Sequence, residues 1–326
     1  MIEFRRKSFV FLAVMLVPAF CLGGAGRLYA SSASASSAIK PFLGRWDLTI
    51  TTPTGDLPSW IDVSEHEGQP RVVLVGVSEH ATRLKKVSFK NGDLEFLSPK
   101  EEEGFSQDTL FKGKFEDGRL VGTATGPDGT SRRWIGRRAP SLKRQNPPKW
   151  GKPIRLFNGR NLDGWRSSDP TRPSVWKVDN GMLVKDGSGP DIITNARFED
   201  FKLHLEFKCG PMANSGVYLR GRYEVQIETD SASEPPSHHT GGVYGYIAPH
   251  PELPRRAGVW QTFDITFVGR TVTVVQNGTT VINHREIPGI TGGALDSHEG
   301  LPGPIYLQGS EKGDVSFRNI VLTPAN

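Results

Sequence analysis

The chain has 326 residues, which is long enough for about two domains. Its formal net charge is +5 at pH 7, and residues 1–30 contribute +3 of that charge, so the rest of the chain carries only +2. Such a balance lacks the broad basic surface that nucleic-acid-binding proteins use, and we expect no nucleic-acid partner. Only one of the two cysteines, Cys209, lies beyond residue 30, so stability is expected to come from hydrophobic cores rather than disulfides.

The first 30 residues have the pattern of a signal peptide. Basic residues at positions 5–7 precede an apolar run at 9–22, which is short for a membrane span and is followed by small residues. We therefore expect export to the periplasm or the cell exterior, with a retained apolar anchor as the alternative. Residues 31–40 are rich in Ser and Ala and are predicted to form a tether. No later run has the length of a transmembrane span.

Residues 41–138 are predicted to form a small antiparallel β-barrel or half-barrel. Short alternating stretches are separated by turn sequences, including Asn91-Gly92 and the stretch at 116–119. Asn-Gly favours a tight hairpin turn because both residues tolerate the positive φ that the turn needs. Residues 132–136 are the candidate closing strand.

Residues 139–152 form a basic, proline-rich linker without apolar periodicity. We interpret it as a solvated hinge, with a site for an anionic partner as the alternative. Residues 153–326 return to short alternating stretches, with a second Asn-Gly turn at 277–278, and show almost no helical period. That length suffices for a sandwich of two packed sheets.

A series of motifs in residues 154–324 resembles the 3-keto-disaccharide hydrolase family. The motifs are LFNG at 156–159, LDGW at 162–165, WKV at 176–178, DFKL at 200–203, NSGVYLR at 214–220, YEVQI at 223–227, HTGGVY at 239–244, GVW at 258–260, QNG at 276–278, LQ at 307–308 and FRNI at 317–320. The resemblance implies a concanavalin-like jelly-roll sandwich and an enzyme that hydrolyses 3-keto-glycosides. Residues 40–138 lie outside it.

The stretch at 223–228 carries the most informative polar pattern. Successive side chains of a strand point to opposite faces, so three polar residues share one face while three apolar residues enter a core. The polar residues are Glu224, Gln226 and Glu228. Carried back along the chain, the register adds Tyr218 and Arg220 to the polar face, unless a turn at Gly221 breaks it. An ordinary solvated sheet face is the alternative.

A long irregular segment at 230–258 follows this strand. It carries histidines and tyrosines among prolines and glycines. Long loops in compact domains are often functional, and aromatic side chains with polar tips suit a sugar because they offer an apolar face and a hydrogen bond together.

Two mechanisms fit these residues. A retaining glycosidase needs two carboxyl groups about 5 Å apart. Glu224 and Glu228 lie two pleats apart, about 13 Å along the strand, and Gln226 stands between them where laminarinase-like enzymes carry Asp. The resemblance implies another route. A ketone at C3 acidifies the hydrogen at C2, a base removes that proton, the aglycone leaves C1, and water adds later, which requires a base, a stabiliser of negative charge and an acid.

These requirements lead to named candidates. We expect the base to be Glu224 or Glu228 and the acid to be His239 or Tyr244. The groups expected near the enolate or the sugar hydroxyls are Arg220 and Gln226. Further sugar-binding candidates are Asn214, Tyr218 and Trp260. A turn-capping role for Asn214 and a sandwich-capping role for Trp260 are the alternatives.

No metal site is predicted. The adjacent residues His238 and His239 project in different directions, and the acidic stretch at 296–299 is favoured as a solvated loop over a divalent-cation site. No cofactor is assigned, the expected partner is a carbohydrate, and the oligomeric state is left open. A non-catalytic lectin-like module and a laminarinase-like glycosidase are the alternative functions.

Overall fold

The computed structural model describes residues 38–77, 80–103, 107–185, 188–229, 233–310 and 313–326. The predicted signal peptide and most of the predicted tether lie outside these residues. The described chain is nearly all β-structure in three antiparallel sheets, which confirms the predicted all-β class. Its helical elements are short turns at Lys40–Phe42, Lys100–Glu103 and Pro236–His238. Among the described residues, no helix is long and apolar enough to cross a membrane.

Sheet 1 is built from the first nine strands of the chain. These are β1 (Gly44–Thr52), β2 (Gly55–His66), β3 (Gln69–Val75), β4 (Thr82–Arg83), β5 (Val87–Lys90), β6 (Asp93–Ser98), β7 (Thr109–Glu116), β8 (Arg119–Thr125) and β9 (Ser131–Arg138). Their order across the sheet is β4-β3-β2-β1-β9-β8-β7-β6-β5, so β4 and β5 are edges and the sheet is an open half-barrel. The predicted closing strand is β9, which pairs with both β1 and β8.

The half-barrel has its own core. The predicted turn between β5 and β6 forms with positive φ at Asn91 and Gly92, as an Asn-Gly hairpin requires. Trp134 on β9 lies over Gly113 and Gly122, where any side chain would collide with its indole ring. The two glycines therefore let the sheet curl tightly around a large buried side chain.

The linker is attached to the second domain along its length. Leu142 is buried, and its carbonyl lies against Gly269. Arg144 donates to Asp200 and to Glu199, in each case at 2.6 Å. Trp150 forms a β-bridge to Ala325. Residues 139–152 thus form a strap that is docked on the second domain and held by the ion pairs of Arg144, which differs from the solvated hinge favoured by the sequence.

The second domain contains two further sheets. Sheet 2 contains β10 (Ile154–Arg155), β12 (Trp176–Asp179), β13 (Met182–Lys185), β15 (Phe201–Cys209), β18 (Gln261–Val268), β19 (Thr271–Gln276), β20 (Thr279–Glu286) and β22 (Val315–Pro324). Sheet 3 contains β11 (Trp165–Ser167), β14 (Ile192–Thr194), β16 (Asn214–Leu219), β17 (Tyr223–Glu228) and β21 (Tyr306–Gln308). The order across sheet 3 is β11-β14-β21-β16-β17, so β17 is an edge strand.

One hydrophobic core joins sheets 2 and 3. Alternate residues of β15 and β18 meet the apolar residues of β16 and β17, as in a two-sheet sandwich. Trp165 and Trp176 belong to this core. Cys209 is buried in the same core, and burial raises the pKa of its thiol to about 12, as expected for a cysteine that packs among apolar side chains. The predicted sandwich preceded by a half-barrel is confirmed.

The half-barrel packs directly against the sandwich. Trp60 and Val75 of sheet 1 lie in the sandwich core cluster rather than in the half-barrel core. Beside them is a buried charged group. Arg270 donates to Glu299 at 3.0 Å, and Glu299 also accepts a hydrogen bond from Tyr223 at 2.7 Å. Asp47 of β1 faces this group, and burial together with the charge of Glu299 raises the pKa of Asp47 to about 9.

Candidate active site

The face of sheet 3 that points away from the sandwich core carries a row of directly opposed side chains. Tyr306 on β21 lies opposite Tyr218 on β16, and Tyr218 lies opposite Glu224 on β17. The apolar residues of β17 lie in the sandwich core, so the predicted alternation along this strand is correct. This face is not an ordinary solvated one, because every residue of β17 is buried.

Glu224 is the most enclosed acid of this face. Only 4% of its surface is exposed, and a side chain at Gly216 would collide with its carboxyl group. The Tyr218 hydroxyl lies 2.9 Å from Glu224 Oε2. Burial raises the pKa of Glu224 to about 8, the Tyr218 hydrogen bond acts against the rise, and the negative charge of Asp191 adds to it. A carboxyl group that titrates near neutral pH is suited to proton transfer.

A chain of polar contacts extends from Glu224 across the sheet. The Tyr218 ring stacks on Tyr306 with a centroid separation of 4.3 Å. The Tyr306 hydroxyl donates to Asp191 Oδ2 at 2.8 Å, and Lys185 Nζ lies 3.5 Å from Asp191 Oδ1. The site therefore holds a buried acid, two stacked phenols and a carboxylate along sheet 3, with the ammonium group of Lys185 reaching Asp191 from the end of β13 in sheet 2.

A second row beside the first supplies amide groups. Gly216 lies opposite both Gln226 on β17 and Gln308 on β21. The Gln226 side-chain amide donates to Asn214 Oδ1 at 3.3 Å. The Oε1 atom of Gln308 is buried and has no hydrogen-bond partner among the described residues. Because a buried acceptor without a partner is costly, this atom is suited to accept a hydrogen bond from a bound ligand.

Glu228 has different partners from Glu224. Arg255 donates to Glu228 Oε1 at 3.1 Å and also pairs with Glu252 at 3.3 Å. His239 Nδ1 lies 2.9 Å from Glu252, so the predicted residues Glu228 and His239 belong to one charged network. Glu224 and Glu228 thus face separate partners, and this geometry disfavours a mechanism in which both carboxyl groups act on one bond.

The loop after β17 continues sheet 3. Val225 and Val243 form a β-bridge, and the Tyr244 backbone N–H donates to the Glu224 carbonyl at 3.1 Å. The Tyr244 ring stacks on His238 at 4.3 Å, and the His238 ring also contacts His80 of the half-barrel at 4.9 Å. Tyr244 thus contacts Glu224 through its backbone N–H and His238 through its ring.

Arg220 lies on the opposite side of sheet 3 from Glu224. Its φ is +54°, which breaks the strand register at the Gly221 turn. The guanidinium donates to the Gly269 carbonyl and lies over the Phe267 ring at 4.7 Å, between the two sheets of the sandwich. The expectation that Arg220 lies beside Glu224 was wrong, because the alternation does not continue through a turn in which a residue adopts positive φ.

Trp260 also lies away from this face. It immediately precedes β18 of sheet 2, and Arg318 of β22 lies over its ring at 3.9 Å. Lys208 of β15 lies over the same ring at 5.3 Å. The ring is therefore held by cation–π contacts with sheet 2 residues, which puts it on a different sheet from Glu224.

Both acids of the stretch at 296–299 form ion pairs with arginines. Asp296 accepts a hydrogen bond from Arg222 at 2.6 Å, and Glu299 pairs with Arg270. Within the described part of the chain, no group of three or more His, Cys, Asp or Glu residues is arranged to hold a metal ion.

Four residues of the site were not found from the sequence. They are Lys185, Asp191, Arg255 and Tyr306. Three lie in or beside short strands far from β17 in the chain. Strand pairing in sheet 3 brings Asp191 and Tyr306 together, and Lys185 reaches Asp191 from sheet 2. Gln308 was recognised as part of a family motif without a role. Its position on the same face as Tyr306 could have been inferred from the period of two along β21.

The Y218F variant is expected to raise the pKa of Glu224 by about one unit, because it removes a hydrogen bond that stabilises the carboxylate. The titration can be followed by NMR of protein labelled with 13C at the glutamate carboxyl groups, with the Glu224 resonance assigned from the E224Q variant. Y223F is the matched control, because Tyr223 lies on β17 beside Glu224 but points to the core face of that strand. Equal shifts of the Glu224 titration in both variants would contradict the assignment of the Tyr218 hydrogen bond.

The comparisons with known proteins bear on this site. A family model described as the 3-keto-alpha-glucoside-1,2-lyase-like domain matches residues 152–323. The chain belongs to this family. The match covers all of sheet 3 and sheet 2 up to residue 323, which confirms the family resemblance predicted from the motifs. The half-barrel lies outside the matched residues.

Individual relatives are similar over parts of the chain. A 3-keto-disaccharide hydrolase of Bacteroides thetaiotaomicron is 32% identical over 87 residues, which is 24% of this chain and 30% of that protein. A crystal structure of a candidate glycosyl hydrolase from Parabacteroides distasonis has 28% identity and a TM-score of 0.46, covering 61% of this chain and 98% of that one. A carbohydrate-binding module of Bacillus subtilis has 13% identity and a TM-score of 0.32, covering 48% of this chain and 93% of that one.

Proposed function

We propose that this protein cleaves 3-keto-glycosides on the outer face of sheet 3, with Glu224 as the base. The observation that carries the proposal is the buried Glu224–Tyr218 pair at the centre of a domain that belongs to the 3-keto-alpha-glucoside-1,2-lyase-like family. The name of the Bacteroides thetaiotaomicron relative, a 3-keto-disaccharide hydrolase, supports the same substrate class.

The proposed reaction starts at C2 of the oxidised sugar. The Glu224 carboxylate takes the C2 proton, and the electron pair moves onto the C3 ketone oxygen to form an enolate. The enolate then expels the aglycone oxygen from C1, which leaves a C1–C2 double bond conjugated to the ketone. Addition of water to C1 and return of a proton to C2 complete a net hydrolysis. A base with a pKa near 8 is better matched to such a carbon acid than an ordinary carboxylate is.

The negative charge of the enolate needs a stabiliser. Lys185 is connected to the stacked tyrosines, since its Nζ atom pairs with the same Asp191 that accepts from Tyr306. We assign Lys185 to this role in place of Arg220, which lies between the two sheets of the sandwich. A preorganised cation in a water-poor site stabilises developing charge more than the same cation does in water.

The departing oxygen needs a proton. We assign this proton to Tyr306, because its ring stacks on Tyr218, the partner of the base. Burial, with Asp191 beside it, raises the pKa of Tyr306 well above its usual value, closer to that of an alkoxide leaving group. His239 belongs to the Glu228 network, and Tyr244 stacks on His238, so both are less directly connected to Glu224.

The remaining polar groups are suited to hold the sugar. Gln308 offers a buried acceptor that has no partner within the described part of the chain, and Asn214 is exposed at the end of the same face. Gln226 binds Asn214 and orients it. Amide groups of this kind bind sugar hydroxyls without adding charge.

The activity is tested with 3-keto-trehalose and 3-keto-lactose beside trehalose and lactose. We expect glucose release from the oxidised sugars alone, and in D₂O we expect deuterium at C2 of the oxidised product. Cleavage of unoxidised glucan would support a laminarinase-like glycosidase. Binding of the oxidised sugars without release of glucose would support a lectin-like module and end the present proposal.

We also propose that the protein is exported, because basic residues precede the apolar run at 9–22 and small residues follow it. Sequencing the amino terminus of the protein from a periplasmic or culture fraction tests this. An intact residue 1 on protein that remains in the cytoplasm would contradict it.

A further inference from the structure

One segment connects the half-barrel to the candidate active site. We define residues 289–297 as the bridging segment. At its start, Gly289 lies so close to Trp60 of β2 that any side chain there would collide with the indole ring. In its middle, the Gly293 N–H donates to the Val77 carbonyl at 3.3 Å. At its end, the Ser297 and Thr49 hydroxyls are 2.7 Å apart. One side of the bridging segment thus rests on the half-barrel, on β1, on β2 and on Val77 just after β3.

The other side of the bridging segment rests on the candidate base and its partner. The Glu224 backbone N–H donates to Thr291 Oγ1 at 3.0 Å. The Tyr218 hydroxyl lies 3.1 Å from the Gly292 carbonyl oxygen, and the Leu295 N–H donates to Gly221 at 2.8 Å. Every residue from 291 to 293 therefore has a neighbour on sheet 3, on sheet 1 or on both.

We propose that the half-barrel is a positioning element of the active site, in which Trp60 holds the bridging segment against Tyr218 and Glu224. Trp60 is suited to this role because it is fully buried in the sandwich core cluster although it belongs to sheet 1. Its indole N–H has no hydrogen-bond partner among the described residues, so the contribution of Trp60 is its packing. The importance of Trp60 for catalysis rests on the proposed function, whereas its role in positioning Tyr218 and Glu224 does not.

The contact between Gly292 and Tyr218 ties the bridging segment to the protonation of Glu224. When Glu224 is protonated, its O–H can donate to Tyr218, and Tyr218 can then donate to the Gly292 carbonyl. This ordered chain favours the neutral acid only while the carbonyl stays in place. If the segment moves away, Tyr218 is left to donate to the carboxylate, and water can approach. Both changes lower the pKa of Glu224.

The other ionisable groups around Glu224 come from sheet 3 and from the adjoining end of β13 in sheet 2. Tyr218, Tyr306 and Asp191 lie in or beside strands of sheet 3, and Lys185 ends β13. The bridging segment contacts Glu224 and Tyr218 through neutral groups, and its own acid, Asp296, is paired with Arg222. The neighbouring loop contributes the Tyr244 backbone N–H. Displacement of the bridging segment therefore changes hydration and hydrogen bonding without removing a charge from the site.

The test compares two tryptophan variants of sheet 1. W60F removes volume beside Gly289, whereas W134F removes the same volume from the core of the half-barrel, over Gly113 and Gly122. The Glu224 titration is measured in each full-length variant by carboxyl 13C NMR, and the pH profile of kcat/KM on 3-keto-trehalose is measured in parallel. We expect W60F to lower the pKa of Glu224 by about one unit and to move the acidic limb of the profile by the same amount. W134F is expected to lower the melting temperature and leave the titration unchanged.

A second variant protects the test against misfolding of W60F. T49V removes the hydroxyl contact with Ser297 at the far end of the bridging segment, and we expect a smaller shift of the Glu224 titration in the same direction. The positioning role is overturned if neither W60F nor T49V moves the titration, or if W134F moves it equally. Because the NMR titration needs no substrate, a protein that is inactive on 3-keto-glycosides but shows the shift would refute the proposed function alone.

Discussion

The E224Q variant is expected to lose about 10³-fold in kcat on 3-keto-trehalose, because the amide cannot accept the C2 proton and general base catalysis of this kind is worth about 10²–10⁴-fold. The substitution keeps the shape of a side chain that is 96% buried, so the fold should be retained. The loss should also extend to exchange of the C2 hydrogen with solvent deuterium, measured by NMR on the oxidised sugar. Exchange isolates proton removal from all later steps.

Two matched substitutions sharpen this result. E228Q changes an acid four positions along the same strand whose partner is Arg255, and its effect on kcat should be far smaller. E206Q changes an acid of β15 that pairs with Arg318 in sheet 2, and it should leave kcat within about twofold of the parent. If E224Q retained C2 exchange and E228Q abolished it, the base would be Glu228.

The pH dependence of the parent enzyme follows from the same group. Because the pKa of Glu224 is about 8, the free enzyme holds the base protonated at neutral pH, and kcat/KM should rise with pH until it levels off above about pH 8. A profile that is flat from pH 6 to 9 would contradict the assignment of Glu224.

The R270A variant is expected to lower the free energy of unfolding by about 3–5 kcal/mol, because it leaves the buried carboxylate of Glu299 without its cation. The side chains of Arg270 and Glu299 are 6% and 0% exposed, so water cannot replace the lost partner without local opening. Urea titration followed by circular dichroism measures the loss.

The control for R270A is a surface ion pair on the same side of the molecule. Arg45 and Glu286 lie 3.1 Å apart, and their side chains are 37% and 39% exposed. R45A should cost only about 0–1 kcal/mol, since exposed pairs contribute little. If R45A and R270A lowered the free energy of unfolding equally, burial would not be the reason that the Arg270–Glu299 pair stabilises the protein.

D47N is a change at the same interface that should stabilise the protein, whereas R270A should destabilise it. Because the folded-state pKa of Asp47 is about 9, the native protein keeps this group neutral while the unfolded chain ionises it near pH 4. The contribution of Asp47 to stability is therefore present at low pH and is lost as the pH rises from about 4 to about 9. Asparagine is neutral throughout, so D47N should raise the melting temperature at pH 8 and change it little at pH 4.

Local sequence rules predicted much of the fold correctly. The Asn-Gly turns at 91–92 and 277–278 form the predicted hairpins because their backbone preference is a property of the two residues themselves. The period of two along 223–228 assigned Glu224 to the correct face because alternation is a property of any extended strand. Arg220 was assigned to the wrong face because one residue with positive φ resets that alternation.

The partners of Glu224 could not be derived in the same way. Asp191 and Tyr306 are separated from Glu224 by 33 and 82 positions in the chain and meet it only through the strand order of sheet 3. The prediction that residues 139–152 form a solvated hinge was wrong for the same reason. The charges and prolines of these residues are typical of a hinge, but the carboxylates that hold Arg144 come from a distant turn before β15.

The sequence by itself determined the β-class, the two-part organisation, the family and the strand that carries Glu224, since these depend on local periodicity, turn chemistry and ordered motifs. The tertiary structure decided that this strand is buried, that its acid is paired with Tyr218, and that the half-barrel supports it through residues 289–297. Burial and pairing depend on strand order and on the contact between the two parts of the molecule. No local pattern specifies either of these.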